Sequence, residues 1–240
     1  MNLLLLTPED RLADGHWHVG TERARHMRST LGLTVGNSLR AGLLNGPVGH
    51  ATLLEDDGQL IRLRFTATGE APAPLPLTLI LALPRPKMLR RILIDATSLG
   101  IKRIVLLNSY KVDKSYWRTP ELGMPLLEEK MQLGLAQAGD THMPTLLLRD
   151  RFRPFVEDEL PTLAGSSRKL IAHPANAATA YAPFGCTGPV TLAIGPEGGW
   201  TDYEFGRFTQ SGFEVCQLGR RILRVETALP ALVGRIMQLP

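Results

Sequence analysis

From residue 77 onward, apolar positions alternate between short, near-continuous runs and longer stretches with helical spacing. Leu77 to Leu83 is an apolar run suited to a strand buried on both faces. Leu89, Ile92, Leu93, Ala96 and Leu99 then recur at helical spacing, and Gly100 supplies a stop. Arg103 to Leu107 predicts the next strand, and Leu126, Leu127, Met131 and Leu135 the next helix. Further strands are predicted at Thr145 to Leu148, Lys169 to Ala172, Val190 to Ile194 and Glu214 to Leu218. This alternation predicts a parallel α/β sheet covered by helices on both faces.

The first part of the chain has a different texture. Irregular apolar runs are separated by Gly36-Asn37, Asn45-Gly46-Pro47 and Asp56-Asp57-Gly58, which are hairpin-type turn signals. They predict a small all-β barrel or sandwich, with only Thr21 to Leu31 helical. Between the two textures, Gly69 to Pro76 reads Gly-Glu-Ala-Pro-Ala-Pro-Leu-Pro. Prolines at alternate positions exclude helix and enforce an extended connector. The predicted division is therefore a first domain over 1–70, a linker over 71–76 and a second domain over 77–240.

Composition narrows the class. The chain has 240 residues, 44% hydrophobic and 21% charged, which suits one or two globular domains and makes disorder, collagen and a membrane span poor readings. A formal net charge of +4 and a pI of about 9.3 favour an anionic partner such as nucleic acid. The opening run Met1 to Leu6 has no basic flank and stops at Thr7-Pro8, too short for a signal segment, so a cytoplasmic protein is expected. Cys186 and Cys216 form no CxxC pair, and His16-x-His18 is read as an exposed strand or turn rather than a ligand pair, so no metal site is expected.

Two loops carry candidate chemistry. Val190 to Ile194 runs into Gly195-Pro196-Glu197-Gly198-Gly199-Trp200, and Thr201 with Glu204 forms a capping box that opens a helix. The glycines permit close backbone approach to a ligand. Glu197 argues against a phosphate there and suits a positively charged group such as a sulfonium; a plain tight turn is the alternative. The second loop is Leu218-Gly219-Arg220-Arg221-Ile222-Leu223-Arg224-Val225-Glu226-Thr227-Ala228. Its arginines suit phosphate oxygens, or are a solvated charged turn. Val225, Leu229, Leu232, Val233 and Ile236 form an apolar stripe on the helix that follows.

The two loops together resemble the bacterial ribosomal-RNA uridine N3-methyltransferases, the RsmE family of the SPOUT superfamily. The resemblance implies a small PUA-like β-barrel followed by an α/β, SPOUT-type methyltransferase domain. Its parallel sheet would end in a C-terminal trefoil knot, in a homodimer holding S-adenosylmethionine. On that resemblance His173, Ile194, Gly195, Pro196, Glu197, Gly198, Gly199, Leu218, Gly219, Arg221, Ile222, Leu223, Thr227 and Ala228 hold the cofactor. Arg224 would stabilise charge on the acceptor base, with Glu197 or Glu226 as proton acceptor; an Arg224–Glu226 ion pair of purely structural use is the alternative. Arg23, Arg25, Arg28, Arg85, Lys87 and Arg220 are the candidate contacts to ribosomal RNA. The absence of a Gly-x-Gly-x-x-Gly fingerprint separately disfavours a Rossmann-type enzyme.

The chain also departs from the family pattern. Asn2-Leu3-Leu4-Leu5 stands where an arginine is usual, Ser98-Leu99-Gly100 replaces Glu-Leu-Gly, and Ala136-Gln137-Ala138-Gly139-Asp140 replaces a Glu-Gln segment followed by arginine. A non-catalytic RNA-binding or assembly protein, or a SPOUT methyltransferase with another RNA target, are the remaining readings. The apolar helix from Ala228 to Leu239 is expected to be buried, either under the sheet or against a second subunit, and the resemblance selects the second subunit.

Overall fold

The computed structural model describes residues 2–174 and 181–238. Met1, in the opening apolar run of the sequence, and Leu239, the expected end of the last apolar helix, lie outside these residues. The chain forms two compact units, Met1–Ala73 with Gln132–Met143, and Pro74–Met131 with Pro144–Pro240. The first cut falls in the Pro-rich segment, but a second passes through a helix, so the units are not two contiguous stretches of chain.

The first unit contains a five-stranded sheet in the order β1-β3-β4-β5-β2. Its strands are β1 (Leu4–Leu6), β2 (Trp17–Val19), β3 (Ser38–Leu43), β4 (Val48–Asp56) and β5 (Ile61–Gly69). β1 runs parallel to β3, and the other pairs are antiparallel. Asn45 takes a left-handed φ of 59° in the β3–β4 turn, a conformation asparagine tolerates better than most residues. Helix α1 (Thr21–Ser29) places Ala24 and Met27 in the core with Leu4, Leu6, Val19, Leu53 and Ile61. The opening apolar run is thus a buried strand. Leu3 and Leu5, on the other side of β1, pack with Leu135, and Leu3 N–H donates to the Ala136 carbonyl at 3.0 Å.

The second unit is built on a six-stranded sheet in the order β11-β9-β10-β6-β7-β8, parallel throughout. The strands are β6 (Leu75–Ala82), β7 (Ile101–Leu107), β8 (Thr145–Arg149), β9 (Arg168–Ala172), β10 (Val190–Ile194) and β11 (Glu214–Cys216). All five residues of β10 are buried, as expected of a strand covered on both faces. Helix α2 (Pro86–Ser98) starts with proline in its first turn, where the missing N–H costs nothing, and buries Leu89, Ile92, Leu93 and Ala96. Helix α3 (Met124–Ala138) carries the second cut between the units.

Between β8 and β9 lies a helical stretch that the apolar pattern does not predict. It comprises α4 (Phe152–Pro154), a π-helical turn over Phe155–Glu159 and α5 (Leu160–Ala164). Pro154 and Pro161 interrupt the regular spacing from which a helix is read. Helix α6 (Asp202–Gln210) follows β10, and α7 (Val225–Ile236) closes the order. α7 ends at Ile236 and buries Val225, Leu229, Leu232, Val233 and Ile236 within its own chain, so its apolar stripe is not the face expected to meet a second subunit; Thr227, Pro230, Ala231 and Gly234 stay exposed. β11 stops at Cys216, so Gln217 and Leu218, expected to be strand, belong to the following loop.

Candidate functional site

In an open parallel sheet, loops leaving the carboxyl ends of neighbouring strands meet over one edge. Here β11, β9 and β10 are consecutive in the sheet, and each ends in a loop with unusual sequence. His173-Pro174 follows β9, Gly195 to Trp200 follows β10, and Gln217 to Arg224 follows β11. Together with Lys111, from the segment after β7, they wall a cavity of about 920 Å³. That volume accommodates a nucleoside-sized ligand.

The β10 loop is held from several directions. Gly199 N–H donates to the Pro196 carbonyl at 2.8 Å, closing a turn in which Gly199 has a φ of 70°. A Cβ on Gly195 would lie 3.1–3.3 Å from the indole of Trp200, which is 3% exposed. The absent side chain there leaves room for the indole. Lys111 Nζ donates to the Gly198 carbonyl at 2.8 Å. The capping box at α6 forms: Thr201 Oγ1 accepts from Glu204 N–H at 3.2 Å, and Glu204 Oε2 accepts from Thr201 N–H at 2.9 Å. Glu204, 3% exposed, also accepts from Tyr110 N–H at 2.7 Å through Oε1. One buried carboxylate therefore joins the β10 loop to the segment that carries Lys111.

Burial acts on two titratable groups of the cavity, His173 and Cys216. Burial pushes the pKa of His173 below the ordinary imidazole range and Lys111 adds to this, while Asp202 opposes. Its ring packs on Phe205 at 4.6 Å between centroids, and its Nδ1 is buried without a partner. Trp200 Nε1 is likewise a buried, unpartnered donor. Burial pushes the Cys216 thiol up to about 12, so it is no thiolate nucleophile at neutral pH. Glu197 is exposed and accepts from Arg85 N–H at 3.3 Å. Arg224 is largely exposed and stands 4.0 Å from Glu226, a separation at which the pair contributes little to stability.

A family model described as "RNA methyltransferase domain" matches residues 71–237. Over 215 residues the chain is 35% identical to ribosomal RNA small subunit methyltransferase E of Treponema pallidum, covering 88% of this chain and 81% of that protein. The chain belongs to the ribosomal RNA small subunit methyltransferase E family. A further member of the family, from Borreliella burgdorferi, is 21% identical over 229 residues, 95% of this chain and 94% of its own. A structure of the Neisseria gonorrhoeae methyltransferase E bound to S-adenosyl methionine superposes with a TM-score of 0.73 at 22% identity, covering 97% and 96% of the two chains. That likeness supports the α/β fold with its parallel sheet.

Within this family member the predicted cofactor residues converge unevenly. His173, Ile194 to Gly199, Leu218, Gly219, Arg221, Ile222, Leu223 and Ala228 all line the cavity, as do Arg220 and Arg224. Thr227 and Glu226 do not; they start the first turn of α7 outside the lining. Residues outside the predicted set also line it, among them Lys111, Tyr181, Trp200, Cys216 and Leu232. Leu232 belongs to the stripe read as core. Lys111 follows a strand end, the one local signal that could have singled it out.

The candidate RNA contacts fall into two groups. Arg23 is held by Asp10, with Nη1 donating to Oδ2 at 2.9 Å and to the Leu5 carbonyl at 3.1 Å. Arg28 grips Asp56 with Nε at 2.8 Å and Nη2 at 2.6 Å. Both are tied into the first unit's own structure. Arg25, Arg85, Lys87 and Arg220 are exposed. Arg90, on the same helix as Lys87, is paired with Glu121. Among the described residues, no group of three or more His, Cys, Asp or Glu is placed to hold a metal ion, and no helix is long and apolar enough to cross a membrane.

Proposed function

We propose that this protein is an S-adenosylmethionine-dependent methyltransferase of small-subunit ribosomal RNA, acting in the cytoplasm on N3 of a uridine in 16S rRNA. The observation that carries this reading is the cavity where three strand ends of a parallel sheet meet, walled by the two loops on which the family resemblance rests. The residues present suit the cofactor. Gly199 and Gly219 leave open space beside the backbone, Glu197 offers a carboxylate, and the lining mixes apolar Ile194, Leu218 and Leu232 with the buried polar atoms His173 Nδ1 and Trp200 Nε1. The finer architecture we infer is a PUA-like barrel in the first unit and a trefoil knot in the segment that threads β10, β11 and α7.

When bound, the cofactor supplies an electrophilic methyl group on sulfur. The chain's part is position and charge. Arg224 stabilises the negative charge that appears on the carbonyl oxygens flanking N3 as the ring proton departs. Glu197, which lines the cavity, accepts that proton; Glu226, outside the lining but 4.0 Å from Arg224, is the second candidate. Burial lowers the pKa of His173, which disfavours a second positive charge on this wall of the cavity. Incubation of the protein with labelled cofactor and total RNA from a deletion strain, followed by nucleoside analysis, tests the assignment. Label in N3-methyluridine of 16S rRNA supports it. Label in another nucleoside moves the target, and no label with RNA retained indicates a binding or assembly protein.

Two further expectations follow from this reading. Arg85, three residues past the end of β6, is the N-cap residue of α2 and Lys87 lies two residues on, both exposed. Reversing both to glutamate is expected to lower RNA affinity at least tenfold at physiological salt and leave cofactor affinity within twofold, since each removed phosphate contact weakens a salt-dependent term. Filter binding and calorimetry on the double variant measure the two. We also infer a homodimer formed on the exposed small-residue face of α7, around Thr227, Ala231 and Gly234. Light scattering at micromolar concentration is expected to give twice the chain mass; a monomeric mass removes this inference.

A further inference from the structure

The cavity is lined by four cationic side chains, Lys111, Arg220, Arg221 and Arg224, and by one carboxylate, Glu197. The arginines share one short exposed segment, and the carboxylate nearest to Arg224, Glu226, is 4.0 Å away. Asp202 acts on the cavity from α6 through its effect on His173. Lys111 is bonded to a neutral carbonyl, so its charge is not cancelled there. A positive rim is a natural partner for RNA phosphate. It is a poor companion for a sulfonium.

This inference rests on the reading of the cavity as an S-adenosylmethionine site. S-adenosylmethionine and its demethylated product, S-adenosylhomocysteine, are close in shape and differ by one positive charge on sulfur. We propose that the Arg220–Arg224 rim makes the free protein discriminate against the charged cofactor, and that RNA phosphates neutralising this rim relieve the penalty. RNA therefore raises affinity for the sulfonium more than for the thioether. By linkage, the sulfonium form strengthens RNA binding more than the thioether form does. Once the neutral product occupies the cavity, the protein's hold on RNA is weaker, which favours release of the modified RNA.

The test uses the full chain and calorimetric affinities for both ligands, from about 0.01 M to about 1 M salt, over which the screening length falls from ~30 Å to ~3 Å. Relative to S-adenosylhomocysteine, S-adenosylmethionine is expected to gain roughly three- to tenfold in affinity with rising salt, the range expected for a few partly screened charges. The Arg220→Gln/Arg221→Gln variant is expected to show, already at low salt, the ratio the wild type reaches at high salt. A short single-stranded RNA added at low salt should shift the wild-type ratio the same way. A wild-type ratio that is flat across the salt range, with both ligands bound, overturns the inference even if the variant does not fold. Failure of both ligands to bind overturns the cofactor reading itself.

Discussion

Gly198→Val is expected to abolish S-adenosylmethionine binding while leaving the chain folded. A Cβ at this position would stand 3.1 Å from Lys111 Cδ and 3.3 Å from Lys111 Cβ, and valine adds two methyl groups to that crowding. The end of a lysine can swing aside, but its Cβ is fixed to the backbone of the segment that Glu204 holds through Tyr110 N–H. Relief must therefore come from the β10 loop or from breaking the bond between Lys111 Nζ and the Gly198 carbonyl. Either change moves backbone that lines the cavity. The core strand β10 lies outside the affected loop, so the thermal transition should shift by no more than a few degrees, the equivalent of ~1–2 kcal/mol. Calorimetry is expected to show at least a hundredfold loss of cofactor affinity. Unchanged affinity in a folded variant would remove this loop from the binding site. Gly198→Ala tests the same geometry more gently and is expected to weaken binding only several-fold.

What the sequence discloses here is what short-range patterns encode. β10 is readable because five consecutive buried positions need an apolar run, and the start of α6 because a capping box spans only Thr201 to Glu204. The turn at Asn45 is readable for the same reason. Contacts between distant positions are not. Lys111 and Gly198 are 87 residues apart, and nothing local marks either as the other's partner. Arg23 and Arg28 look like a basic helix face because their partners Asp10 and Asp56 sit 13 and 28 positions away. The fold gives Arg23 and Arg28 carboxylate partners that no local pattern reveals, while Arg25 on the same helix is exposed. The segment from Phe152 to Ala164 was illegible for another reason. Its prolines disrupt the period, and the π-helical turn displaces the residues after it.

Glu204 is expected to be the most sensitive single position for stability in the second unit outside its apolar core. Its carboxylate accepts from three donors in two loops: Thr201 N–H and Oγ1 at 2.9 Å each, and Tyr110 N–H at 2.7 Å. Glu204→Ala would leave these donors without an acceptor at a site that is 3% exposed, and removing a helix cap adds to the loss. The expected cost is about 2–4 kcal/mol, a fall in the melting temperature of roughly 4–16 °C for a domain of this size. Glu204→Gln, nearly the same shape, separates packing from acceptor count. An amide has one acceptor oxygen, which can serve the Thr201 pair or Tyr110 N–H but not both, and its NH₂ group would face a donor on the other side. Glutamine should therefore recover less than half of the loss. Exchange of the Tyr110 or Thr201 amide hydrogen should accelerate selectively, depending on which side the oxygen takes. If glutamine restores full stability with both amides protected, the carboxylate is only filling space, and the link from β10 to Lys111 must run through other contacts.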